Sequence, residues 1–434
     1  MVVKRSFYEI FAKTVPNLLD RQSNDQRQIN IFQLIQFKDK RLLVALTGII
    51  FLSYSLFLIQ LGFGEDTDAW LMAQSAEKIR LGLGYDPARS FGNPIYEWGL
   101  SIFQTGNQWW VSNLANLLIF FVLLNRLRNY FPLFTPDQLA GLRLLFLLFP
   151  LFIKNATSSI EFIWGLWFLM EAFHNIENKQ SQKAIFWTIM AMFTRLEYFP
   201  ILVISQVPFW QKNKGKTLIM TAFWVGYLIW AWGKNPAPFH TVSEGVHFYQ
   251  SRIGILIESL GLSTLLLPIL LYHLIRNQKI RNLKTMAIAN LGFFILFPFE
   301  WEYALPFFGA SFVAIADEFP FVRTLAFGLL FLFLTFFKPE LRNWFGGKIS
   351  FRFEWPHEQR ECSFARYVWA QSADFEQKTL ILNGATLFPF PVKNWEKVKD
   401  NRIFHRQNSN FFVGERLTTA ELDSLKSVGF QIKN

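Results

Sequence analysis

Three carboxylates, Glu65, Asp66 and Asp68, fall within four residues directly after an apolar run that ends near Leu61. A carboxylate within hydrogen-bond reach of a hydroxyl can take its proton as a general base, which contributes about 10²- to 10⁴-fold to a rate. The same residues suit a plainer task, because Asp66 or Thr67 can accept backbone N–H bonds at the start of a helix from about Asp68 to Arg80, with Gly82 as its stop. Arginine offers a planar fork to a phosphate, and Arg89 lies in the same segment. Arg195 and Glu197 interrupt the apolar stretch from Ala184 to Trp210, and Glu161 heads another apolar run. Glu161 could orient a substrate or catalytic group or simply cap its helix. On a helix His240, Glu244 and His247 would share a face at i, i+4 and i+7, which permits a divalent metal or contact with an acceptor, although this is not a standard zinc spacing. Pro236 and Pro238 complicate the start of that helix, and a substrate-loop or surface role fits His240 and His247 better. Gly62, Gly64, Gly82 and Gly84 lack the strand and lysine of a nucleotide-phosphate loop, and no motif demands a cofactor. The single cysteine, Cys362, excludes an intrachain disulfide and a zinc site built on paired cysteines.

The elements that must position these residues belong in a bilayer. Of 434 residues 52% are hydrophobic, 18% aromatic and 17% charged, with 51 Phe and 16 Trp; typical globular chains are about 25% charged. An ordinary cytosolic enzyme and a disordered or fibrous protein are excluded on this ground. The formal charge of +11 reads as basic cytoplasmic loops rather than as a nucleic-acid surface. Residues 1–41 are polar and basic without a signal-peptide core, so they stay in the cytoplasm. The run Leu42 to Leu61 has the roughly 20 residues that cross about 30 Å of hydrocarbon. It delivers residues 62–108 to the outer face as a loop. Further runs follow near Trp109 to Asn125, Leu139 to Ile153, Ile160 to Phe173, Thr217 to Trp232, Ile253 to Ile275, Thr285 to Phe299, Ala304 to Ala316 and Phe321 to Phe337. Arg126 and Arg128, Lys179 and Lys183, and Arg276, Lys279, Arg281 and Lys284 fall in alternate connections, which the positive-inside rule assigns to the cytoplasm.

Ala184 to Trp210 resists a simple crossing. Lys179 and Lys183 flank one end and Lys212, Lys214 and Lys216 the other, so both ends prefer the same side. Two half-depth helices turning at Arg195 to Glu197 satisfy this; one helix with the charge pair packed inside is the alternative. With the hairpin, parity puts residues 345–434 outside. Strand-length runs at Thr379 to Asn383 and Phe411 to Val413, and a capped helix from Thr418 or Thr419 through Leu425, make them a small α/β domain. The expected fold is mainly α, a polytopic transmembrane helix bundle of about 10–11 spans or half-spans over 42–340, with that α/β domain after it. In the outer loop Trp70, Leu71, Ile79 and Leu81 could lay the helix along the interface.

The loop's residues carry a resemblance. Asp68-Ala69-Trp70 to Ala76, Arg80-Leu81-Gly82-Leu83-Gly84-Tyr85-Asp86-Pro87, and Arg89 to Gly92-Asn93-Pro94-Ile95-Tyr96-Glu97 together resemble the first outer loop of GT-C superfamily glycosyltransferases. The likeness is greatest to the bacterial branch that includes terminal arabinofuranosyltransferases. Thr157-Ser158-Ser159-Ile160-Glu161 is similar to the family's Gly-x-Glu-Thr segment, Thr194-Arg195-Leu196-Glu197 to its Thr-Arg-Pro-Glu, and Glu302-Tyr303-Ala304-Leu305-Pro306 to its Arg-Tyr-Leu-Leu-Pro. The likeness spans roughly 42–340. Thr67, Gln74, Leu196 and Glu302 depart from the pattern, the last replacing an arginine.

The resemblance implies an inverting, integral-membrane glycosyltransferase of the bacterial inner membrane. It would move a sugar from a polyprenyl-phosphate carrier to a glycan, lipid or protein acceptor on the outer face, without nucleic acid. Asp68 or Asp66 would be the base, Arg89 and Arg195 would hold the donor phosphate, and Glu161, Glu97, Glu197 and Tyr303 would bind or orient substrate. A lipid or solute transporter, or a non-catalytic scaffold of an envelope polysaccharide pathway, are the alternatives. A transporter would commonly show related halves with broken helices at matching positions, and no such repeat is visible.

Overall fold

The computed structural model describes residues 40–64, 67–88, 92–103, 109–234, 260–296, 301–339, 351–353 and 355, with isolated strands between 379 and 433. The chain divides into residues 1–43 and 44–434, and the account below concerns the second unit. It is mostly helical. Helices α1 (Lys40–Leu58), α2 (Thr67–Arg80), α3 (Pro94–Phe103) and α4 (Trp109–Tyr130) carry the chain through the first loop and back. They are followed by α5 (Pro136–Leu148), α6 (Pro150–Ala156), α7 (Phe162–Glu177), α8 (Ser181–Thr194), α9 (Tyr198–Ser205), α10 (Val207–Lys212) and α11 (Lys214–Lys234). A 3₁₀ turn (Gly261–Leu266) leads into α12 (Leu267–Arg276) and α13 (Arg281–Leu296), and a second (Trp301–Ala304) into α14 (Leu305–Glu318) and α15 (Phe321–Phe336). The expected run from Ile253 to Ile275 is thus a 3₁₀ turn followed by an α-helix over its described part, with residues 253–259 outside the described set.

Among the described residues α4 alone is long and apolar enough to cross a membrane by itself; α5 and α6 would do so together across a 69° bend. Pro150 explains that bend, since it lacks the N–H the ladder needs and its ring clashes with the carbonyl one turn back. The break falls at Phe149, which leaves helical geometry at φ −86° and ψ 113°. Its ring is caught among Phe308 (4.9 Å), Phe331 (5.0 Å) and Phe312 (5.2 Å), from α14 and α15. Much of the phenylalanine excess is spent here, fastening the kink into a core whose central members, α7 and α14, are buried along most of their length.

The outward faces are apolar. Ile49 and Ile50 on α1, Leu218, Ile219, Phe223 and Ile229 on α11, and Leu329, Leu330 and Phe333 on α15 are all exposed, a surface of a kind water-facing proteins keep small.

The helix ends sort into two levels. At one end Trp109 Nε1 donates to Gln60 O (2.9 Å) and Ser159 N to Phe63 O (2.6 Å). At the other, Asp317 accepts from Gln138 Nε2 (3.2 Å), Asn277 Nδ2 (3.0 Å) and Lys279 Nζ (3.0 Å), and Asn282 reaches Glu177 (2.7 Å). Ser181 Oγ donates to Asn213 Oδ1 (3.0 Å), so the start of α8 and the end of α10 lie at this second end. The chain therefore reverses between them, at Arg195 to Glu197. Each arm of that hairpin, α8 and then α9 with α10, falls short of a full crossing, since the 14 residues of α8 reach about 21 Å.

Past α15, β1 (Phe337–Pro339) pairs antiparallel with β2 (Phe351–Phe353). Strands β3 (Thr379–Leu382), β4 (Trp395–Val398), β5 (Ile403–Arg406), β6 (Phe411–Gly414) and β7 (Gln431–Lys433) form a sheet of order β4-β5-β6-β3-β7. Its β4, β5 and β6 are antiparallel, while β3 runs parallel to both β6 and β7. The helix expected from Thr418 or Thr419 lies outside the described residues.

Candidate functional site

The polar groups gather at the first end. Helix α2 starts at Thr67 and places Asp68 in its first turn, half-buried. The two residues that follow fix its position: Ala69 and Trp70 are fully buried, and Trp70 Nε1 donates to Gly64 O (2.9 Å). Gly64 is obligatory there, because a Cβ would come within 2.7 Å of the Ala69 Cβ and 3.2 Å of the Ser158 Cβ. Trp70 is thus turned inward, edge-on to Phe63 at 5.2 Å, rather than along a membrane interface as expected. Its indole finds a core partner that periodicity alone did not reveal. The helix ends in a Schellman pair, Gly82 N to Ile79 O (3.0 Å) and Leu83 N to Lys78 O (2.9 Å), with Gly82 at φ 69°.

Helix α3 brings Glu97 fully out of solvent. Its Oε1 accepts from Ala88 N and Asn93 N (both 3.3 Å), and its Oε2 lies 2.9 Å from Ser75 Oγ on α2. Burial raises the pKa of the Glu97 carboxyl from its ordinary value, and hydrogen bonding from Ser75, Tyr85, Ala88 N and Asn93 N works against that shift. The phenols of Tyr85 and Tyr96 are likewise pushed up, mainly by burial. Asn93 ties this loop to the hairpin, its side-chain amide donating to Thr194 O (2.7 Å) and to Gly92 O (3.0 Å).

At the hairpin turn Arg195 is almost fully buried and its guanidinium is engaged on every side. Nη1 pairs with Glu161 (2.5 Å), Nε pairs with Glu197, and the carbon of the fork lies 4.1 Å from the ring centres of both Phe162 and Tyr303. Two in-plane carboxylates and two aromatic faces use the fork's planarity, which lysine could not reproduce. Beside it Lys154 on α6 pairs with Glu302 (2.9 Å). Three carboxylates and two cations therefore share a buried region where the ends of α6, α8 and α13 and the starts of α7, α9 and α14 meet.

A stripe on α4 holds the floor. Asn116 Nδ2 donates to Ile160 O (2.8 Å) and to Ser158 O, and its Oδ1 accepts from Trp164 Nε1 (2.8 Å). Asn113 donates to Gly62 O (2.7 Å), and Ser159 Oγ donates to Asn113 Oδ1 (2.8 Å). These bonds satisfy backbone groups left open between α6 and α7, where no water need enter.

Of the residues singled out in the sequence, Glu161, Glu197 and Tyr303 each contact Arg195. Glu97 joins them through Asn93 and Thr194, and Asp68 sits at the same end of the helices. Asp66, Arg89, His240, Glu244 and His247 lie outside the described residues. Lys154, Ser75, Asn113 and Asn116 were missed. A signal existed for each: polar groups inside or at the edge of apolar runs are costly and seldom idle.

No family model matches the chain, and no curated protein does. Among solved structures it is similar to ArnT from Cupriavidus metallidurans bound to undecaprenyl phosphate, with 16% identity and a TM-score of 0.46 over 66% of this chain and 62% of that one. The chain thus spans less than two thirds of the length of that structure.

Proposed function

We propose that the protein is an integral-membrane glycosyltransferase that moves a sugar, with inversion, from a polyprenyl-phosphate carrier to an acceptor at the outer face of a bacterial inner membrane. One observation carries the reading. The four segments that resemble glycosyltransferase motifs, scattered from residue 68 to residue 306, converge at one end of the helices through Ser159 to Phe63, Asn93 to Thr194, Arg195 to Glu161, and Arg195 to Tyr303. Motifs of merely local meaning have no reason to meet.

In this reading Asp68 or Asp66 takes the proton of the acceptor hydroxyl as the hydroxyl oxygen attacks the anomeric carbon. The lipid phosphate leaves toward Arg89 and Arg195. Glu161 and Glu197 hold the Arg195 fork in one plane, and Tyr303 covers one face of it. A preformed cation with its partners already in place needs no reorganisation when charge develops on the leaving oxygen. The bilayer supplies the carrier and faces the apolar exterior, residues 42–340 form the transferase domain, and residues 345–434 lie outside as a small α/β domain.

The test is transfer by purified protein in lipid nanodiscs with a polyprenyl-phosphate sugar. Asp68→Asn or Asp66→Asn is expected to lower turnover by about 10²- to 10⁴-fold. Wild-type turnover in both variants would sink the mechanism, and substrate flux across proteoliposomes without glycosidic product would favour a transporter instead.

A further inference from the structure

Arg143 sits about 10 Å along α5 from Pro136, partly buried, and its Nε donates to Leu124 O on α4 (3.4 Å). Leu124 lies about 22 Å along α4 from Trp109, which is held at the opposite end of the helices. Both measures put this contact about 8–10 Å inside a hydrocarbon layer of about 30 Å. A charge at that depth is costly and is normally paired. Among the described residues no carboxylate answers it. Helices α4 and α15 carry no acidic residue, and Asp137 lies about 9 Å back along α5, in its first turn. Glu171 is taken by Arg126 and Tyr130, and Asp317 by Gln138, Asn277 and Lys279. The neighbour of Arg143 is instead a second cation. Arg128 stands one turn beyond Leu124 on the same face of α4, with its Cβ tilted back toward Leu124, and the two positive charges act on each other.

We propose that Arg143 and Arg128 form a binding site for the phosphate of an anionic phospholipid, seated between α4 and α5 in the leaflet at the basic end of the helices. Of the five N–H groups of Arg143 one is used on Leu124 O, and the terminal nitrogens keep the fork that meets two phosphate oxygens side by side. Arg128, exposed on α4, supplies the second cation. The surroundings favour a lipid over a soluble anion. Leu133, in the connection from α4 to α5, is 94% exposed, and Leu118 and Val122 farther along α4 are exposed as well. Acyl chains cover such a surface, whereas a hydrated ion would have to shed its water to reach Arg143. A bound headgroup would tie α4, whose Asn113 and Asn116 brace the opposite end, to α5, which continues through the Phe149 kink to Lys154.

Transfer activity is not read in the test, so failure here is distinct from failure of the glycosyltransferase reading. Purified full-length protein in nonionic detergent is titrated with phosphatidylglycerol and, separately, with phosphatidylcholine, and bound lipid is counted by native mass spectrometry. Wild type is expected to prefer phosphatidylglycerol. Arg128→Gln combined with Arg143→Gln should weaken that binding about 10- to 30-fold and leave phosphatidylcholine binding unchanged. Lys212→Gln combined with Lys214→Gln removes the same charge from exposed positions at the same end and should leave the preference intact. Equal affinity of wild type for the two lipids, or equal losses in the two double variants, would overturn the site. Displacement of bound phosphatidylglycerol by millimolar inorganic phosphate would assign the pair to a soluble anion and overturn the lipid. If Arg143→Gln fails to fold, Arg128→Glu, at its exposed position, should still weaken phosphatidylglycerol binding about five-fold or more; unchanged binding has the same overturning force.

Discussion

Arg195 shows how the chemistry of a single residue is decided by its neighbours. In the sequence it is a charge that interrupts an apolar stretch; in the structure it joins α7, the α8–α9 turn and the 3₁₀ turn before α14 through two carboxylates and two rings. Removing one member of a buried, paired set leaves an uncompensated charge and costs about 3–5 kcal/mol. Arg195→Ala should therefore lower the thermal stability of detergent-solubilised protein sharply, and Arg195→Lys should recover only part of the loss. An unchanged melting temperature in both would refute the clamp. The Lys154 and Glu302 pair invites a cycle: Lys154→Glu and Glu302→Lys should each destabilise, and the double exchange should restore much of the loss. Additive losses would mean the pair is incidental. Glu302 was read from the sequence as a departure from an arginine, without any hint that α6 supplies the opposite charge.

Elements owe their bounds to local chemistry and their angles to packing. Thr135 and Gln138 cap α5 reciprocally (3.3 and 2.9 Å), with Pro136 at its first turn. Such signals are legible in the chain. Gly261 is different: it has φ 56°, and a Cβ there would lie 2.4 Å from Phe337 O and 2.7 Å from Thr335 O. Nothing in its sequence neighbourhood shows that the end of α15 and the start of β1 press against it. Backbone strain of this kind is worth about 1–3 kcal/mol before the clash is added, so Gly261→Ala should unfold at markedly lower temperature. Gly48, in α1 with open space around its Cα, is the control, and Gly48→Ala should leave stability equal or higher by up to about 1 kcal/mol. Equal effects at the two sites would show that the close approach does not exist.

At the scale of the whole molecule, the two ends of the helices carry different polar groups. Arg126 with Glu171, Lys279 with Asp317, and the connections bearing Lys179, Lys212, Lys214 and Arg281 lie at the end away from Asp68 and Arg195. The positive-inside rule predicts that this basic end faces the cytoplasm, and accessibility tests the prediction. Cys362 is the sole cysteine, so a membrane-impermeant maleimide added to intact cells should label wild type and not Cys362→Ser. In that cysteine-free background Leu83→Cys should be labelled from outside, whereas Lys179→Cys and Lys214→Cys should be labelled only after permeabilisation. Labelling of Lys179→Cys and Lys214→Cys on opposite sides would rule out the hairpin.

The amino-acid sequence by itself determined the apolar exterior, the positions of most helices, the reversal implied by lysines at both ends of residues 184–210, and which charges were worth following. Those properties follow from transfer free energy and residue periodicity, which act locally. Only the tertiary structure decided that Trp70 turns inward, that Lys154 answers Glu302, that Glu161 and Glu197 grip one guanidinium, and that Ser75 meets Glu97. Each depends on residues far apart in the chain meeting out of water, where an unpaired polar group is costly and its partner is set by packing rather than by spacing.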